Sequence, residues 1–314
     1  MAPRRPPWLL CAALVLCLAG CAAQTQALRA RPPAGLAPAA ELAGTPFFPQ
    51  TEYQCGPAAL ATVLSASGVP ADPARLGDEV FLPARTGTLQ VEMMAGARRH
   101  GRVATRLPPA LEPVLREVQA GHPVVVLLNL GLSWAPLWHY AVLVGYDLDA
   151  GEAWLRSGTT RRAAFPLRTF ELTWTRAGSW AFVALPPDRW PATAQEPAVV
   201  EAAVGFERAA PAAQALAAYR SALARWPGSL PLQMGLGNTL HASGDKPAAL
   251  AAFRAAGERH RSAPAWLNAS ATALELGRAQ EAEAAAREAA AVADATWRAR
   301  ADEALERARA ARVR

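Results

Sequence analysis

Lysine is almost missing from this chain. Lys246 is the only one, so arginine supplies nearly all of the 32 basic residues. Acidic residues number 26, and the formal net charge is only +6. That mild balance, with no aromatic-interleaved basic stripe, does not suit nucleic acid, and no nucleic-acid partner is expected. Cysteine is scarce as well. Cys11, Cys17 and Cys21 all fall near the start, which leaves Cys55 without a thiol partner in the body of the chain. An intrachain disulfide framework is thereby excluded. Beyond the first residues there is no apolar run long enough to span a bilayer. His100 and His122 each adjoin a glycine and read as surface or turn residues rather than ligands. No metal and no cofactor is expected.

Residues 1–20 read as a lipoprotein signal peptide. Arg4 and Arg5 give a positive start, and Trp8 to Leu18 form an apolar core too short for a comfortable span. Leu18-Ala19-Gly20-Cys21 matches the bacterial lipobox, in which Cys21 would be diacylated and become the mature N-terminus. The expectation is an exported protein, lipid-anchored to the bacterial cell envelope through Cys21. Ala22 after the cysteine favours an outer-membrane anchor facing the periplasm. Residues 21–45 are rich in Ala, Pro and Gln without periodicity, and read as a flexible tether.

The organising stretch is Gln50-Thr51-Glu52-Tyr53-Gln54-Cys55-Gly56-Pro57-Ala58-Ala59-Leu60. Pro57 is tolerated in a first helical turn and Ala58 to Ala66 contain no breaker, so a helix starts at Cys55. A thiol there faces unpaired N–H groups and the positive end of the helix dipole, and both favour the thiolate. A buried structural thiol would leave the same trace. The second landmark is Trp138-His139-Tyr140-Ala141-Val142-Leu143-Val144-Gly145-Tyr146-Asp147, a strand-like apolar run ending in turn residues.

Together the two motifs resemble the bacteriocin-processing (double-glycine) cysteine peptidases of the papain-like clan. The likeness spans residues 46–186. It implies an α+β papain-like fold, with helices packed on a mostly antiparallel sheet, and a Cys55 nucleophile served by His139. It also implies a glutamine side chain that receives the oxyanion together with the Cys55 N–H. The family commonly places that glutamine six positions before the cysteine. Here Gln50 is five before and is preferred, with Gln54 as the alternative. The family's third residue, an Asp in the strand after the histidine strand, has no counterpart in Leu155-Arg156-Ser157-Gly158-Thr159-Thr160. Asp147 would lie roughly 26 Å from His139 along a straight strand, out of reach. Folding the chain back at Asp149-Ala150 returns Ser157 toward His139 as the imidazole orienter, with Asn129 as the alternative. Trp134 and Trp138 either line a substrate cleft or pack a loop. Arg156, Arg161 and Arg162 either bind substrate carboxylates or form a solvated edge.

Within this domain helices are expected after Cys55, from Asp72 to Phe81, from Thr88 to His100 with Leu89, Met93 and Ala97 at helical spacing, and from Pro113 to Ala120. Strands are expected at Val124–Leu130, His139–Tyr146, Ala153–Ser157 and Ser179–Leu185. Residues 187–197 read as a proline-rich linker.

From 198 to 314 the composition shifts to Ala, Glu and Arg, and a repeat emerges. Leu240, Gly244, Ala249, Phe253 and Ala256 recur as Ala273, Gly277, Ala282, Ala286 and Ala289, and Ala215, Tyr219 and Ala222 precede them. The spacing of about 34 residues resembles tetratricopeptide repeats, an all-α array of about three units with a closing helix over Trp297–Arg314. Such arrays bind proteins or peptides. The chain as a whole reads as a membrane-anchored papain-like cysteine peptidase that cleaves a peptide or isopeptide bond, with repeats recruiting a protein partner. The competing reading is a weak or inactive peptidase-like lipoprotein that serves as a binding scaffold.

Overall fold

The computed structural model describes residues 22–50 and 54–313. They form two compact units. One ends at Leu185 and includes Pro191–Ala194; the other comprises Pro186–Trp190 and the chain from Gln195 onward.

The first unit begins with α1 (Ala23–Ala30), β1 (Ala39–Glu41), α2 (Cys55–Ala66) and α3 (Pro73–Val80). A small hairpin follows, made of β2 (Phe81–Leu82), a tight helical turn (Pro83–Arg85) and β3 (Gly87–Thr88). Then come α4 (Gln90–Arg99), β4 (Val103–Arg106), α5 (Leu111–Gln119), β5 (Val124–Asn129), β6 (Trp138–Asp147), β7 (Glu152–Ser157), β8 (Thr160–Pro166), α6 (Leu167–Arg176) and β9 (Ala181–Leu185). The main sheet has the order β4-β9-β5-β6-β7-β8. Its pairings are all antiparallel. β6 is long enough to take two partners along one edge. Its first half pairs with β5, from Asn129 opposite Trp138 to Val124 opposite Leu143. Its last residues pair with β1, where Ala39 faces Asp147.

Both faces of this sheet are covered, which explains the unbroken apolar run of β5. Val124, Val126 and Leu128 point to one side, against α5 and α6 through Val114, Leu115, Val118, Phe170 and Trp174. Val125 and Leu127 point to the other, against Leu60, Val63 and Leu64 of α2, Leu76 of α3 and Met93 of α4. Side chains alternate along a strand, so a strand between two helical layers needs an apolar residue at every position.

Three expectations are corrected here. Residues 21–45 are not a loose tether from Ala22 onward. α1 buries Thr25 and Leu28, and the Glu171 carboxylate accepts the backbone N–H groups of Gln24 at 3.1 Å and Thr25 at 2.7 Å. A one-face helix of eight residues is too short to show a period. The region 187–197 is not a free linker either. Ala192 and Thr193 donate backbone N–H bonds to the buried Glu117 carboxylate, and α7 (Glu196–Glu207) starts inside the stretch. Finally, α4 starts at Gln90 rather than Thr88, because Thr88 belongs to the β3 hairpin and Leu89 is 43% exposed.

The second unit continues from α7 through α8 (Ala212–Arg225), α9 (Leu230–Ala242), α10 (Lys246–His260), α11 (Ala263–Glu275), α12 (Ala279–Val292) and α13 (Arg298–Arg312). The caps are local and readable. Ser229, Asp245 and Ser262 each accept a backbone N–H at a helix start. Repeat positions with no side chain admit an aromatic from the neighbouring helix. A Cβ on Gly237 would lie 2.4 Å from the Phe253 ring, and one on Gly235 would lie 2.3 Å from Tyr219.

Candidate active site

Cys55 opens α2, half-buried, and is the free thiol among the described residues. Gly56 follows it for a packing reason. A Cβ there would lie 2.6 Å from Thr88 Oγ1, so only glycine lets the β3 hairpin close onto the helix start. That hairpin carries Thr86 at φ 49°, a left-handed conformation uncommon for a β-branched residue. His139 lies one residue into β6. Cys55, His139 and Gln50 line a common cavity of about 940 Å³ with Arg85, Thr88, Leu89, Leu137 and Trp138.

One tight turn secures two of the predicted positions. The β7–β8 reversal pairs Ser157 with Thr160 through Gly158, whose φ is 55°. Ser157 Oγ sits 2.9 Å from His139 Nε2. The Gly158 N–H donates to Gln50 Oε1 at 3.2 Å, and the Gln50 N–H donates to the Gly158 carbonyl at 3.0 Å. Fixing the amide oxygen of Gln50 in this way leaves its NH₂ as the end available to a ligand. Gln54, the alternative, is exposed at the helix cap and is not among the residues lining the cavity.

Asn129, the alternative orienter, does not reach the imidazole. Its buried side chain accepts from the N–H groups of Gly131 and Leu137, both at 3.0 Å, and donates to the Leu132 carbonyl at 3.4 Å. It holds the loop before His139 in shape. Among the described residues no hydrogen bond joins the Cys55 sulfur to the His139 ring, although both line the cavity.

At Cys55 burial opposes the effect of the helix start. Burial pushes the Cys55 thiol above its ordinary range, and N–H groups of Tyr140, Gly56 and Cys55 itself pull it back only in part. Burial likewise pushes His139 below the usual imidazole range. The helix N-terminus does favour the thiolate, but loss of water is the larger effect here. Tyr140, beside the sulfur, is raised by burial and by the charge Cys55 would carry, and its hydroxyl donates to the Thr88 carbonyl at 3.2 Å.

Arg156 was expected at a substrate or on a solvated edge, and it is in neither place. It is 3% exposed, and its guanidinium donates to the carbonyls of Thr45, Ala43, Leu42 and Arg161. It thereby clamps the segment that leads to Gln50 onto β7. Arg162 does lie at an edge, paired with Glu41 at 2.8 Å and stacked over Trp154. Trp138 lines the cavity at 55% exposure, and Trp134 stands 83% exposed. Among the described residues, no group of three or more His, Cys, Asp or Glu converges as a metal site would.

Comparison with known proteins agrees with this architecture. Residues 43–182 match the model of the Peptidase C39 like family, and residues 212–272 match a tetratricopeptide repeat model. Among solved structures, the chain is similar to a protein described as a C39-like peptidase from Bacillus anthracis. The identity is 20%, over 47% of this chain and 97% of that one, with a TM-score of 0.40. It is also similar to the peptidase domain of Streptococcus ComA, a bi-functional ABC transporter of a quorum-sensing pathway. There the identity is 21%, over 45% of this chain and 98% of that one, with a TM-score of 0.39. No curated protein sequence matches the chain.

Proposed function

We propose that this chain, a C39-like peptidase domain followed by tetratricopeptide repeats, is an envelope-anchored cysteine peptidase acting through Cys55 and His139. What carries the reading is that Cys55, His139 and Gln50 line one cavity while Ser157 engages the far nitrogen of the ring. With Nε2–H donated to Ser157, Nδ1 is the basic nitrogen. It takes the thiol proton as Cys55 Sγ attacks the substrate carbonyl carbon. The developing oxyanion is received by the Gln50 NH₂ and the Cys55 N–H. Collapse breaks the C–N bond, and the imidazolium returns the proton to the leaving amine. Water then hydrolyses the thioester with His139 again as base. No preformed ion pair is required, which suits an imidazole whose partner is a neutral hydroxyl. Diacylation of Cys21, outside the described residues, would supply the anchor, and the repeats would recruit a protein partner.

The test is hydrolysis of a peptide library by the full chain. Turnover should vanish in Cys55→Ala and His139→Ala, and alkylation of Cys55 at neutral pH should slow in the latter. Turnover that survives Cys55→Ala would remove the assignment. The scaffold reading has its own observation: among the described residues no carboxylate bonds the His139 ring and no hydrogen bond joins it to Cys55. Peptide binding without cleavage, unchanged in Cys55→Ala, would favour it.

A further inference from the structure

The large apolar side chains that stand exposed are not scattered. Apart from Val313, those among the described residues are Leu130, Leu132, Trp134 and Leu137 on the β5–β6 loop, Trp138 at the start of β6, and Leu89 and Val91 around the start of α4. Leu89, Leu137 and Trp138 line the same cavity, so the two groups form one rim. Scattered exposed apolar residues are ordinary, but a contiguous set signals a contact.

The loop is built to keep this shape. Leu132 and Ala135 exchange backbone hydrogen bonds at 3.1 Å, which closes Ser133-Trp134 into a two-residue turn. Leu130 N–H donates to the Leu137 carbonyl at 2.9 Å, and the buried Asn129 amide bonds both limbs. The result is a fastened tip that projects tryptophan and leucine rather than a hollow that receives them. Residues 130–138 carry no charge. Charged groups beside them among the described residues include Arg176, whose guanidinium donates to the Asn129 carbonyl at 3.1 Å, and Arg85 in the cavity wall, with Glu92 following Val91.

We infer that this rim is a second membrane contact, seating the cavity mouth on an anionic bilayer surface. A projecting, uncharged Trp–Leu tip flanked by arginine matches the chemistry of the interface, where indole rings sit at headgroup level and guanidinium groups meet lipid phosphate. The direction of α1 agrees. α6 runs from Leu167, bonded to Gly151 at the β6–β7 turn, to Arg176 at the loop. α1 ends at that turn, where Arg29 bonds Leu148, and starts beside Glu171 midway along α6. The described chain therefore starts on the side that carries the loop.

The full chain on phosphatidylglycerol–phosphatidylcholine vesicles tests this, with lipids brominated just below the headgroup as quenchers. Trp134 and Leu132 are exposed, so Trp134→Ser and Leu132→Ser keep the fold, and any N-terminal anchor holds all versions on the vesicle. The emission lost on substituting Trp134 should itself be quenched by roughly half or more in brominated vesicles, and Leu132→Ser should reduce that quenching. Equal quenching of wild type and Trp134→Ser would overturn the inference. So would an unquenched Trp134 whose substitution instead abolishes self-association or raises KM for a soluble peptide, outcomes that assign the rim to a second copy or to substrate. None of the quenching measurements depends on turnover, so the peptidase reading can fail independently.

Discussion

Ser157 gives the imidazole a hydroxyl where a carboxylate would hold both its orientation and its charge. The distance of 2.9 Å is that of a good bond, but a neutral acceptor does little to stabilise an imidazolium. Losing a neutral hydrogen bond costs about 1 kcal/mol, so Ser157→Ala should lower kcat by roughly five- to tenfold in single-turnover assays. That is far milder than the loss of about 10⁴ seen when a charged triad member is removed. Ser157→Asp should raise the His139 pKa and move the acid limb of kcat/KM to higher pH. Burial lowers His139 and raises Cys55, so the wild-type profile should be broad. Its acid limb should fall below the ordinary imidazole value, and Cys55 alkylation should still be climbing above the ordinary thiol value of about 8.5. A plateau of labelling already reached at pH 6 would contradict those directions. The meeting of Cys55 and His139 in one cavity was legible in two sequence motifs. The preference for Gln50 over Gln54 was legible from its place ahead of the cysteine, but its bond to Gly158 was not, because that residue lies far along the chain with no pattern of its own.

Arg156 shows why element-level packing resists sequence reading. A lone arginine in an alternating strand looks solvated, and carbonyl oxygens, which every residue owns, leave no signature of the partner. Removing the guanidinium would take its donors from the buried Thr45 carbonyl, at about 1–3 kcal/mol. Arg156→Met should therefore lower the denaturant midpoint. Arg156→Lys should not restore it, since one ammonium cannot span the fork. Because the same segment leads into Gln50, Arg156→Met should also lower kcat, and an unaltered midpoint with unaltered kcat would remove the clamp. β5, β6 and β7 were readable from apolar runs and turn residues, and the repeat helices from small and aromatic residues recurring about every 34 positions. β4, β8 and α6 were not predicted. β8 exposes Arg161 and Arg162 and shows no clean alternation, and α6 buries Glu171 beside Phe170 and Trp174. Its carboxylate caps α1, a segment whose own short helix gave no period.

At the scale of the molecule there are separate cores, one pair on the two faces of the sheet and another inside the repeats. The chain passes from the first unit to the second through residues 186–195, and Glu117 fixes part of that passage. Its carboxylate is fully buried, and accepts the N–H groups of Ala192 and Thr193 and the Thr193 hydroxyl at 2.6 Å, with His122 Nδ1 at 2.7 Å. Burial alone would raise its pKa, but the bonds from His122 and Thr193 and the charge of His122 outweigh it, and the net shift is downward. A carboxylate whose folded pKa lies below its unfolded value of about 4.3 stabilises the fold fully above that value. The contribution then fades as pH falls through the folded pKa. Glu117→Gln keeps the size and much of the bonding but not the charge. Its deficit in Tm should therefore be plain at pH 7 and shrink as pH falls through the lowered folded pKa, where the wild-type carboxyl takes up a proton. Thermal melts of both proteins from pH 3 to 8 measure this directly. A deficit that stays constant across that range would mean that the charge contributes nothing, and that the 191–194 segment is held by shape and neutral hydrogen bonds alone.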